Sequence, residues 1–377
     1  SNNTAVGYTA LGANTTGHSN VAVGKSAGAA VTTATENTFV GSSAGDATTT
    51  GSSNTAVGIN ALGANTTAAD NTAVGRHALA ANTTGTENTA VGLGAADANT
   101  TGNYNVAMGN NTFGTNTTGS ENTALGYRAM FANTEGATNV AVGSSALDEC
   151  TTGDSNTAVG VSALTSVTTS NYNTGVGGQA GQEITTGTQN TTVGYASLDA
   201  TTTGGYNTAV GYNAVGANIT GVQNVGVGVD ALLLTTGSRN TGLGSYTLQA
   251  NTSANDNTAV GNQALYANTT GASNVAIGPS TLDTCTTGTE NIAIGKAAGD
   301  RITTAGANTA VGTEALNRNV TGDACTAIGF QALEVCTAGT NTALGYKAGE
   351  TVTSGTNNTL LGNEAAPSAV DVSNEFT

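Results

Sequence analysis

Asn71-Thr72-Ala73-Val74-Gly75-Arg76-His77-Ala78-Leu79-Ala80-Ala81-Asn82-Thr83-Thr84-Gly85-Thr86-Glu87 is one unit of a repeat, and its reading decides the fold. The leading Asn recurs at Asn3, Asn20, Asn37, Asn54 and Asn88, and the spacing of 17 residues carries on to Asn358. With that Asn as offset 0, the consensus is N-T-A-V-G-x-x-A-L-x-x-N-T-T-G-x-x, stacked about 22 times. A fixed short period of this kind is the signature of a solenoid, in which each unit buries its apolar face only against its neighbours. The units starting at Asn224 and Cys325 are one residue short, and both losses fall near T-T-G. A turn tolerates such a loss, so that stretch is a turn.

N-T-A-V-G is short, β-branched and closed by Gly, and the unit lacks the three-and-four spacing of a helix. One strand per coil is predicted, giving an all-β parallel β-solenoid, or β-roll, over residues 1–362 and a non-repeat junction over 363–377. Every coil has one large aliphatic at offset 3, from Val6, Val23 and Val40 through Met108, Leu125 and Ile277 to Leu361. An unbroken column of this type is expected to be a buried stack. Strand alternation puts Thr and Val at offsets 1 and 3 on one face, with Asn, Ala and Gly at offsets 0, 2 and 4 on the other. Two large aliphatics per coil supply roughly 3 to 6 kcal/mol, against a backbone ordering cost of about 1 to 2 kcal/mol per residue. A second buried face is therefore expected, with small residues inside a thin coil and the Val face against partner chains in a parallel homotrimer. At a strand spacing of about 4.8 Å the array would reach on the order of 105 Å.

Offset 8 is usually Leu, as in Leu11, Leu62 and Leu79, but is Gly at Gly28, Gly45, Gly181, Gly299 and Gly349. In four of these coils offset 11 changes from Asn to an aliphatic, at Val31, Ile184, Ile302 and Val352, while Thr48 does not comply. Close packing penalises voids, so the two offsets are expected to fill one space. Cys150, Cys285 and Cys336 also occupy offset 11, and Cys325 replaces the Asn of offset 0. Cys thus replaces only the two Asn columns, whose side chains are expected to point inward and bond the turn backbone of their own and adjacent coils. The cysteines read as buried free thiols. No two share an offset in adjacent coils, which argues against a disulfide between coils, although Cys325 and Cys336 share one coil; cysteine usage does not decide the redox compartment.

Composition narrows the function. Aromatic residues are 4% of the chain and charged residues 8%, too few for a bulky core or for an ordinary disordered segment. The net charge of −16, from 24 acids against 8 bases, leaves no basic patch for nucleic acid or an anionic membrane. No apolar run is long enough to insert in a membrane, and the opening Ser-Asn-Asn-Thr carries no signal segment and no clear cap, so the chain reads as a piece of something longer. His18 and His77 fall at different offsets, so no metal cluster or His-based nucleophile system is expected, and no cofactor. Acids at offset 16, among them Glu36, Asp70, Glu87, Glu121, Asp256 and Glu290, read as a solvated edge, since the calcium β-roll motif is absent. The glycines at offsets 4 and 14 are turn glycines without a phosphate-loop motif. Tyr8, Tyr127, Tyr195, Tyr212 and Tyr346 at offset 5 are scattered surface aromatics that could also stack on a sugar. Sequons such as Asn14-Thr15-Thr16 are a by-product of the turn, because an inward Asn is closed to a glycan.

The repeat resembles two related groups. Asn274-Val275-Ala276-Ile277-Gly278 and Asn291-Ile292-Ala293-Ile294-Gly295 are similar to the head repeats of trimeric autotransporter adhesins. Asn122 to Tyr127 and Asn257 to Thr270 are similar to the repetitive shafts of phage tail fibres and related surface fibres, and Ala365 to Thr377 looks like the junction before their self-cleaving chaperone domain. The resemblance implies a non-enzymatic, extracellular, cell-surface or virion fibre shaft that projects a receptor-binding tip. Its partners would be copies of itself, with surface glycans or a host receptor engaged through the missing flanks. Two other readings stand beside it: a self-assembling extracellular filament, and an ice-binding solenoid. Ice binding is disfavoured because the paired Thr at offsets 12 and 13 would point to opposite faces of a strand.

Overall fold

A computed structural model describes residues 2–369 and 371–377. Ser1, where no cap is expected, and Val370, within the expected junction, lie outside the described residues. Among the described residues there is no helix, and 22 strands of three residues each begin at offset 1 of their coils. The chain divides into two units. Ser1–Gln189 carries β1 (Thr4–Val6) to β11 (Thr174–Val176), and Asn190–Thr377 carries β12 (Thr191–Val193) to β22 (Thr359–Leu361). Within each unit consecutive strands pair in parallel and in register. Thr72, for example, lies between Thr55 and Thr89, and Thr258 between Thr241 and Val275. The fold is the parallel β-solenoid that the repeat predicts.

The coil of Asn71 to Glu87 shows how the unit closes. Thr72-Ala73-Val74 is extended, and Gly75 ends it at φ +137°, a value open only to Gly. Turns then overlap along the coil: the Ala78 N–H donates to the Gly75 carbonyl at 3.3 Å and the Asn82 N–H to the Leu79 carbonyl at 3.2 Å. His77, Leu79 and Glu87 adopt φ values of 60°, 50° and 57°. A left-handed Leu is disfavoured by about 1 to 2 kcal/mol, so it persists only where its surroundings over-determine it. Here the Leu79 N–H donates to the Ala95 carbonyl of the next coil at 3.0 Å, and the His77 N–H to the Ile59 carbonyl of the previous coil at 3.0 Å. The same three offsets are left-handed in coil after coil.

The apolar interior is made of two small-residue columns and one Leu column. Ala at offsets 2 and 7, such as Ala73 and Ala78, and Leu79 at offset 8 are fully buried. The offset-3 column is not buried within the chain; it points out of the coil, as the expected small-residue interior and outward Val face require, and Leu125 is 45% exposed. Alternation is the reason: once Ala at offset 2 points into the coil, Val at offset 3 must point out.

The volume exchange between offsets 8 and 11 holds, since a Cβ placed on Gly299 would lie 3.0 Å from Cδ1 of Ile302. The Gly45 coil, which Thr48 leaves uncompensated, is filled from a third place. Phe39 replaces Ala at offset 2 and is fully buried; its ring would meet a Cβ on Gly45 at 2.6 Å and one on Gly28 at 2.8 Å. Beyond the repeat, the backbone at Glu375 and Phe376 still follows the coil, with the Thr359 N–H donating to the Glu375 carbonyl at 2.7 Å and Thr359 bridging Phe376 in parallel.

Phe39→Ala is expected to lower stability by about 3 to 5 kcal/mol through the void beside Gly28 and Gly45. Adding Gly45→Leu, at a φ of 57° close to the 56° of Leu62, should restore most of it. Chemical denaturation of the two variants beside the parent checks the exchange.

Candidate functional site

The feature with functional potential is the outward face of the strands, and two hydrogen-bonded ladders hold it in place. In the first, the offset-0 asparagines bond from coil to coil. Asn88 donates its Nδ2 to the Gly102 carbonyl at 2.8 Å, and its Oδ1 accepts the Asn105 N–H at 3.0 Å. Asn99 at offset 11 donates to the same Gly102 carbonyl at 3.1 Å and to Oδ1 of Asn82 at 3.0 Å. Both Asn columns therefore point inward, as the sequence predicts. Asn82, in a sequon, is fully buried and closed to a glycan. In the second ladder, offset-12 threonines bond forward, as Thr83 Oγ1 does to the Thr100 carbonyl at 3.1 Å. Those hydroxyls are committed to holding the stack.

On this scaffold, Thr at offset 1 and the aliphatic at offset 3 share one surface. Met108 is 38% exposed, Ile277 39% and Leu344 46%. The aliphatic column has no interruption within either unit, and in-register pairing sets its members opposite one another. Beside it lie the exposed tyrosines of offset 5. Tyr195 stacks on Tyr212 with centroids 5.9 Å apart, and Phe330 on Tyr346 at 5.4 Å. Each ring thereby turns one face to its neighbour, which reduces the area on which a sugar could stack.

The titratable groups do not converge. His18 is exposed and His77 half-buried in separate coils, and the offset-16 acids, such as Glu87 and Glu121, are exposed. Among the described residues no group of three His, Cys, Asp or Glu could hold a metal ion. The exposed Asp256 pairs with Arg239, with Oδ1 2.6 Å from Nε, and this hydrogen bond holds its carboxyl below the ordinary range. Sequence reasoning passed over a second acidic column at offset 9, whose signal was the recurrence of Asp46, Asp97, Asp148, Asp283 and Asp300. Burial pushes the carboxyls of Asp97, Asp283 and Asp300 above the ordinary range, and the neighbouring Asp300 adds to the rise at Asp283. Oδ1 of Asp283 is buried and makes no hydrogen bond. Four of the ladder asparagines' places are taken by Cys150, Cys285, Cys325 and Cys336, all buried free thiols.

No protein-family model matches the chain, and no curated protein matches it. No helix of the described residues is long and apolar enough to cross a membrane.

Asn88→Ala orphans the buried Asn105 N–H, a loss of about 1 to 3 kcal/mol. Hydrogen exchange should show faster opening at Asn105 and its neighbours, while distant coils keep their protection. Asp283→Asn is expected to be stabilising at neutral pH. A carboxyl with a raised folded-state pKa adds stability only once protonated, so the advantage of the amide variant should shrink as pH falls through that pKa toward the ordinary carboxylate value. Melting temperatures of both proteins across an acid pH series check the sign.

Proposed function

We propose that the chain is the shaft of an extracellular fibre or surface adhesin, built from parallel copies joined through the Thr and aliphatic columns of the strand face, and that it has no catalytic role. The observation that carries this reading is the aliphatic column of the strand face, unbroken in each unit and only exposed or half-buried along its length, with Val40, Val57 and Val74 half-buried and Met108 and Leu125 exposed. Scattered surface aliphatics need no explanation, but a contiguous apolar stripe marks an interaction surface. Each coil would gain on the order of 1 kcal/mol by completing the burial of one such side chain, so the 11 coils of a unit would together gain about 10 kcal/mol. That is comparable with the roughly 4 to 15 kcal/mol cost of association, and two units exceed most of that range.

The resemblance to autotransporter heads and tail-fibre shafts supports a trimer at a cell or virion surface, where the shaft would hold a receptor- or glycan-binding tip at a distance. The acidic, low-charge composition supports a partner other than nucleic acid or membrane. A second reading, ice binding, gains support from the same face. Its outward residues follow a Thr-x-Val pattern repeated in register, whereas the Thr pairs at offsets 12 and 13, such as Thr83 and Thr84, lie in a bend outside the sheet.

Light scattering over a salt series is expected to give a mass near three times 36.5 kDa, and Val91→Lys with Val159→Lys should reduce it to that of one chain while the far-UV spectrum is kept. A parent protein that stays monomeric at every salt concentration would remove the shaft assembly, and thermal hysteresis in that monomer would favour ice binding. An open-ended mass distribution would favour a self-assembling filament.

A further inference from the structure

Of the 22 units, only the one that begins at Cys325 lacks the offset-0 Asn, and in that same coil offset 11 is Cys336. The two substitutions meet in space. In an ordinary coil both amides reach one carbonyl, as Asn88 and Asn99 reach Gly102. In this coil both thiols reach the corresponding carbonyl of Ala338, with Cys325 Sγ and Cys336 Sγ each 3.2 Å from its oxygen. Cys150 and Cys285 differ. Each shares its turn carbonyl with the offset-0 Asn of its own coil, Asn139 or Asn274, and lies farther from it, at 3.6 and 3.7 Å.

We propose that Cys325 and Cys336 form a disulfide across the interior of their coil, a covalent staple in place of the paired Asn amides. Replacing two convergent amides with two thiols removes hydrogen bonds of the usual set, since a thiol has one weak donor where the amide has two donors and an acceptor. A disulfide removes both donors together and restores a fixed link between the same two positions. The electrostatics single out this pair. Burial pushes the Cys150 and Cys285 thiols up to about 11, which makes them poor nucleophiles. In the pair, the contact between the two thiols lowers Cys336 from the ordinary cysteine range and raises Cys325.

The oxidant is a soluble disulfide. The Cys336 thiolate attacks it, forming a mixed disulfide and releasing one thiol. Cys325, on losing its proton, then attacks the Cys336 sulfur and displaces the second thiol. Two protons and two electrons leave the protein, one S–S bond forms, and the oxidant is reduced to two thiols. Both sulfurs are fully buried, so the exchange takes place during folding or through local opening of the coil.

The full chain, equilibrated in mixtures of reduced and oxidised glutathione, is acid-quenched, denatured, alkylated and peptide-mapped, once in native buffer after refolding and once in urea. The expected result is a 325–336 linked peptide with Cys150 and Cys285 alkylated, and a link at least about tenfold more favourable in native buffer than in urea, a potential difference of about 30 mV. Cys336→Ser should abolish the link. Alkylation of all four cysteines, glutathione adducts or interchain links in its place, or a link no more favourable than in urea would each overturn the proposal.

Discussion

Buried polar groups must find partners, and in a coil this thin the inward asparagine amide provides them. An offset-0 Asn such as Asn88 closes its own turn through Nδ2 and accepts the next coil's backbone N–H through Oδ1. Because that second bond reaches from one coil to the next, stacking in register is the condition for satisfying the interior at all. The shortened coil of Asn224 shows how strict the condition is. Its missing residue lies in the T-T-G turn, and the Asn240 N–H still meets Oδ1 of Asn224 at 3.0 Å across 16 residues. After the repeat lapses, the Glu375 N–H still meets Oδ1 of Asn358 at 3.0 Å.

Close stacking also explains the glycine and alanine content. A Cβ on Gly58 would lie 2.6 Å from the Gly75 carbonyl carbon, so the offset-4 column excludes side chains by contact as well as by backbone angle. The left-handed Leu column is a local conflict that coil-to-coil hydrogen bonds over-determine, the situation in which strained backbone persists. Core volume is conserved within a neighbourhood and not at a position: Ile302 covers Gly299, and Phe39 covers two glycines in adjacent coils.

With Ala, Asn and the offset-8 Leu committed to the interior, the offset-3 aliphatics are displaced to the outside. A sheet that is well satisfied within itself then presents an aliphatic stripe on each unit, the surface through which the proposed assembly would be joined. The same logic separates the cysteines. Two replace one member of an amide pair and remain isolated under burial, whereas Cys325 and Cys336 replace both members and converge on the Ala338 carbonyl.

The period, the single strand per coil, the inward asparagines and the exchange between offsets 8 and 11 were legible in the sequence, because each is a local pattern repeated until chance is excluded. The direction of the offset-3 column was legible from alternation together with the thinness of the coil, which sets small residues inside and Val outside. Packing agrees, since Ala at offsets 2 and 7 and Leu at offset 8 already fill the narrow interior. The rescue of Gly45 by Phe39, the half-burial of the offset-9 acids and the meeting of two thiols at one carbonyl required the tertiary structure. Each depends on distances across or between coils, which a one-dimensional repeat constrains in register but does not measure.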